Sequence, residues 1–178
     1  MKPLSLKIFS FLAAISLLSL ASCTSDEPAP RSENDICGAW VSNEGNYMYF
    51  KLPNICYKLI PESEEMAQLA YDAYYYEPGY NILMYMSEDS HADIYQVTEL
   101  NQNEMKWVWA DNIIDGDNLL NEKYKGMSKS EILGSIIKQA QEGFDLDYSR
   151  TTVFNRISME EFEEVLIDYG YEWVIEEL

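Results

Sequence analysis

The chain has 178 residues with 31 acidic and 12 basic side chains, a formal net charge of −19, and 14 Tyr and 4 Trp. Acidity on this scale excludes a nucleic-acid binder or a protein that adheres to anionic lipid headgroups by charge. A sequence of this length supports one domain with its own core, since two would each be too small to bury enough surface.

Lys2 and Lys7 precede an apolar run from Ile8 to Leu20, which closes on Leu20-Ala21-Ser22-Cys23. A basic start, a short apolar segment and small residues before a cysteine resemble a bacterial lipoprotein signal peptide over 1–22, with Cys23 as the lipidation site. A transmembrane helix needs about 20 apolar residues, and this run is shorter and broken by Ser10, Ser16 and Ser19. The resemblance implies a membrane partner through a lipid anchor, and an outer-membrane, surface-exposed location. Thr24-Ser25-Asp26-Glu27 is similar to the serine-plus-acid export tag of surface lipoproteins in the Bacteroidetes. Residues 23–35, rich in Pro, Ser and acid, read as a disordered tether. Cleavage also removes Lys2 and Lys7 and takes the charge from −19 to −21, because every acid lies beyond Cys23.

A single domain is expected over 36–178. Its first part, 36–113, reads as short strands divided by turns, the pattern of a meander sheet or barrel. Strands are expected at Ile36 to Ser42, Tyr47 to Leu52, Ile55 to Ile60, Met66 to Tyr76, Asn81 to Ser87, Ala92 to Leu100 and Glu104 to Asn112. Gly, Pro, Asn or Asp stands at each reversal, as backbone turns require. Glu62, Glu64 and Glu65 equally suit a helix start before Met66, but three consecutive tyrosines favour a strand.

The second part, 114–178, reads as a helical extension with a short strand. Ser128 and Glu131 form a capping box opening a helix, with Met127 and Ile132 placed as a hydrophobic staple and Gly143 as the stop. Ser158 with Glu161, Ile157 with Phe162, and Gly170 repeat the device, and Thr151 to Ile157 between them reads as a strand. Both helices carry one apolar stripe, which must be buried against the sheet. The fold class is therefore α+β, mainly an antiparallel β-meander or barrel with two C-terminal helices.

With Cys23 assigned to lipid, Cys37 and Cys56 are left. An exported location permits them to pair. Against this, they fall on the first and third strands, and strands two apart stand about 9 to 10 Å from each other, beyond the roughly 7 Å that a bridge can span. Both sit at the same end of their strands, so the sequence leaves the disulfide open.

Gly38-Ala39-Trp40 matches the Gly-x-Trp opening of lipocalins. The run from Tyr74 to Leu83 resembles their aromatic strand, tight turn and Asn-x-Leu return, and Tyr95-Gln96-Val97 with Met105 to Trp109 resembles their closing hairpin. The resemblance covers roughly 36–113 and implies a lipocalin-like barrel whose mouth takes an apolar molecule. The Thr-Asp-Tyr and late Arg of that family have no assigned counterpart, and the helices after Ser128 are not theirs.

No catalytic, metal or cofactor motif is present, whether metal protease, phosphate loop, nucleophile elbow or paired zinc cysteines. His91, the one histidine, falls in a turn. Asp111, Asp115 and Asp117 lack EF-hand spacing and read as a solvated loop. A carboxylate pair for glycoside hydrolysis is the one enzymatic route that so many acids leave open. The expectation is a non-enzymatic binding module for a small apolar ligand, with Trp40, Met84, Met86, Gln96, Met105, Trp107 and Trp109 lining its cavity and Tyr85 adding a polar group. The alternative is a glycan-binding or protein-interaction surface without a cavity, built on Tyr47, Tyr49, Tyr74 and Tyr76.

Overall fold

The computed structural model describes residues 33–86, 92–115 and 119–178. The leader 1–22, Cys23, the tether up to 32, His91 and Asp117 lie outside them.

Eight antiparallel strands close into a barrel. They are β1 (Gly38–Ser42), β2 (Tyr47–Lys51), β3 (Ile55–Pro61), β4 (Ala67–Glu77), β5 (Ile82–Met86), β6 (Ala92–Leu100), β7 (Glu104–Asp115) and β9 (Thr151–Ile157). A two-residue strand, β8 (Leu119–Leu120), hangs on the far end of β7. The first seven form the expected meander, with boundaries shifted by a few residues. Residues 36 and 37 do not belong to the first strand, because a 3-10 turn covers Glu33–Ile36. The stretch read as the end of the tether is thus part of the fold.

Closure comes from an element the sequence placed in the helical extension. β9 pairs with β1, Trp40 opposite Arg156, and with the first half of β7, Trp107 opposite Thr152. A sheet becomes a barrel only when its two edges are joined, so the barrel is incomplete at residue 113.

Both helices form where their capping boxes predict: α1 (Lys129–Glu142) behind Ser128 and α2 (Met159–Asp168) behind Ser158. Gly143 and Gly170 follow at positive φ, where a side chain would be strained. The Ile157 and Phe162 staple joins one cluster with β2 and β3. Met127 stays 41 % exposed while Ile132 is buried.

The helices cover different parts of the outer wall. α1 packs on Ala73, Tyr75, Met84, Ile94 and Ile113, and α2 with the C-terminal 3-10 turn (Glu172–Glu177) packs on Ala39, Tyr57 and Leu59. A third cluster fills the interior. Strand residues are apolar on both faces because both faces are buried. The tyrosine run shows it, with Tyr74 and Tyr76 inside the barrel and Tyr75 beneath α1.

Candidate functional site

The two barrel ends differ in chemistry. At the end where the described chain begins, Ile36, Trp40, Leu100 and Met105 are packed together and Arg156 lies over Trp40, its guanidinium carbon 4.1 Å from the ring centroid. Arg156 Nη1 donates to the Cys37 carbonyl at 2.7 Å and Nη2 to the Asp35 carbonyl at 3.0 Å, while Trp40 Nε1 donates to the Ile36 carbonyl at 2.9 Å. Gly38 makes this possible. Its φ is +118°, and a Cβ there would stand 2.5 Å from Arg156 Nη1. The end is closed. A depression of about 470 Å³ beside it, against Asp35, Asn101 and Arg156, presents an arginine already engaged with main-chain carbonyls.

The middle is solid, since Phe50, Tyr74, Tyr76, Leu83 and Phe154 are each at most 2 % exposed. Phe50 meets Tyr74 edge-on at 5.0 Å, and Trp107 meets Phe154 at 4.2 Å. Such T-shaped contacts add to the area these rings bury.

At the opposite end the interior opens into a cavity of about 140 Å³. Its floor is Met48, Trp107 and Phe154, its walls carry Lys58, Tyr85, Tyr95 and Thr152, and the β1–β2 turn adds Ser42, Glu44 and Asn46. β3 places Lys58 by strict alternation, for Cys56 points into the barrel while Tyr57 and Leu59 face α2. Asp72, only 4 % exposed, accepts a hydrogen bond from the Tyr85 hydroxyl. Burial pushes the Tyr85 phenol well up, with Cys56 and Asp72 adding to it, and burial followed by Asp93 does the same to Tyr95. Both phenols therefore stay protonated at neutral pH. The buried Cys56 thiol is likewise raised, first by desolvation and then by Asp72, which leaves it a poor nucleophile.

The candidate residues scatter. Trp107 lines the cavity. Trp109 stands at the same end, donating to Asp93 at 3.1 Å with Arg150 over its ring at 5.4 Å. Trp40 and Met105 belong to the closed end, both at 0 % exposure. Met84 and Met86 are corrected to the outer wall beneath α1, and Gln96 is outside too, donating to the carbonyls of Tyr80 and Asn81. The reason is register. Directly opposed residues share a face, and Met84 opposes Ile94 whereas Trp109 opposes Tyr95. The two strands flank β6, whose bulges make parity impossible to carry across by counting.

The tyrosine platform is also dismantled. Tyr74 and Tyr76 are inside the barrel, and Tyr49 packs on Phe162 at 5.8 Å. Cys37 and Cys56 are not bridged to each other, and the Cys37 sulfur lies 3.7 Å from the Tyr74 hydroxyl. Gly38 pairs with Phe50 and Phe50 with Cys56, so strand β2 stands between the two cysteines, the spacing that opposed a bridge.

Lys58, Tyr95, Thr152 and Phe154 were missed, though alternation along β3 would have found Lys58 once Cys56 was placed inside. Asp111 pairs with Lys123 at 2.5 Å and accepts from Tyr124. Among the described residues no group of three His, Cys, Asp or Glu side chains gathers to hold a metal ion. Among them, too, no helix is long and apolar enough to cross a membrane. A scan of protein-family models, a search of curated proteins and a search of solved structures each found no match to this chain.

Proposed function

We propose that this protein is a surface-exposed outer-membrane lipoprotein, anchored through Cys23, whose lipocalin-like barrel is a non-enzymatic binding module for one small ligand at its open end. The observation that carries the reading is the 140 Å³ cavity floored by Trp107, Phe154 and Met48 at that end of the barrel. Pockets for drug-sized molecules run from about 300 to 1,000 Å³, so the apolar ligand is ring-sized and not a lipid. The Gly38, Trp40 and Arg156 unit supports the lipocalin-like reading, since Arg156 offers a counterpart to the late arginine of that family.

Thermal shift of the full chain against ring-sized, long-chain and oligosaccharide ligands tests this. A ligand at 100 times its dissociation constant stabilises by about 2.7 kcal/mol, and ring-sized compounds are expected to give the shift. A shift with oligosaccharides alone, or none at all, contradicts the reading. A second reading, a protein-interaction surface, is favoured by Ile167 and Trp173, 54 % and 53 % exposed on α2 and the turn that follows it.

A further inference from the structure

The charge at the mouth deepens that reading and rests on it. Lys58 is half-buried on the inner wall. Its ammonium lies 6.0 Å from the centroid of the Tyr85 ring, and among the described residues it makes no ion pair or hydrogen bond. This holds in a chain where acids outnumber bases 31 to 12. The nearby buried carboxylate, Asp72, is engaged by Tyr85. A half-buried inward cation with no ion pair among the described residues gains by meeting an anion there.

The apolar side of the cavity sets the size of that anion's body. An apolar cavity of about 150 Å³ accommodates benzene, and this one measures about 140 Å³. Its floor is rigid, because Trp107 is held between Tyr95, 4.9 Å away, and Phe154, 4.2 Å away. The Tyr95 hydroxyl, kept protonated by burial, supplies a donor on the same wall.

We propose that the mouth binds a small organic carboxylate, its charge paired with Lys58 and its ring-sized apolar part resting on Trp107, Phe154 and Met48. The carboxylates of Asp72 and Asp93 stand behind the wall, engaged by Tyr85 and Trp109, and among the described residues the one acidic group lining the cavity is Glu44 on the rim. It is exposed, on a turn, where solvent screens it.

The test is titration of the full chain with benzoate, benzamide and benzylamine, followed by tryptophan fluorescence and calorimetry at low salt. Benzoate is expected to bind at least about tenfold tighter than benzamide, a difference of about 1.4 kcal/mol. Lys58→Met abolishes that preference and Lys58→Arg keeps it. In the unsubstituted chain, raising salt weakens benzoate and leaves benzamide unchanged, a readout independent of any variant's folding. Equal binding of benzoate and benzamide, or tighter binding of benzylamine, overturns the carboxylate assignment while leaving the mouth a binding site. No binding of any of the three overturns the assignment as well, and the wider ligand panel then decides whether the binding-module reading falls with it.

Discussion

The guanidinium carbon of Arg156 lies 4.1 Å from the ring centroid of Trp40, 116 positions away in the chain, where β9 closes against β1. The pair joins the last barrel strand to the first and ties down the turn Glu33–Ile36 through the carbonyls of Asp35 and Cys37. It is the latch of the closed end.

Arg156→Ala removes a cation–π contact and two charge-assisted hydrogen bonds, so a loss of about 2–3 kcal/mol is expected. Arg156→Lys recovers only part of it, lacking the planar fork. Gly38→Ala destabilises by forcing a side chain at φ +118° against Arg156 Nη1. Because both changes break one unit, the double variant should lose less than the two singles together, which urea denaturation measures.

Cys37 and Cys56 should both be thiols. Alkylation of the unfolded, unreduced chain followed by peptide mapping should find each one labelled. Under native conditions Cys37 is labelled and the fully buried Cys56 is not. A peptide linking the two would contradict the register of β1, β2 and β3.

Stability should fall as pH rises beyond about 9. Cys56, Tyr85 and Tyr95 all have folded-state values raised above the ordinary thiol and phenol values of 9.0 and 10.0. Their stabilisation is fully present below those ordinary values. It is lost as pH climbs through them, because the unfolded chain ionises first. Urea midpoints at pH 7, 9 and 10.5 should decline in that order, and Tyr95→Phe should flatten the slope.

The capping boxes give the acid side. Ser128 holds the Glu131 carboxyl below the usual range by side-chain and main-chain hydrogen bonds, and Ser158 does the same for Glu161, main-chain bond first. These groups stabilise above the ordinary carboxylate value and lose that contribution as pH falls through their lowered folded values. Ser158→Ala should cost about 1 kcal/mol, read by thermal unfolding at pH 7. The cost should shrink toward pH 3.

The helices, the turns and most strand limits were legible because each rests on local chemistry: Ser-x-x-Glu caps, glycine stops, and Gly, Pro, Asn or Asp at reversals. Two things were not. Closure by Thr151–Ile157 is a pairing across more than 110 residues, which no local pattern records. The facing of Met84, Met86 and Gln96 was lost because helices cover the outer wall, making both faces of β5 apolar, and because β6 shifts register at three points. Trp107, expected to line a cavity, does line one, while Lys58 on the same cavity was overlooked in a strand read only for its cysteine.

The packed interior separates this barrel most sharply from a lipid carrier, since Phe50, Tyr74, Tyr76 and Phe154 occupy the space an acyl chain would need. The most direct measurement is calorimetric titration of the full chain with palmitate beside a ring-sized ligand that gives a thermal shift. Saturable binding of the ring-sized compound at one per chain, with no heat from palmitate below its micellar concentration, is the predicted result. Stoichiometric palmitate binding, displaced by neither salt nor the smaller ligand, would contradict a filled barrel with a shallow mouth.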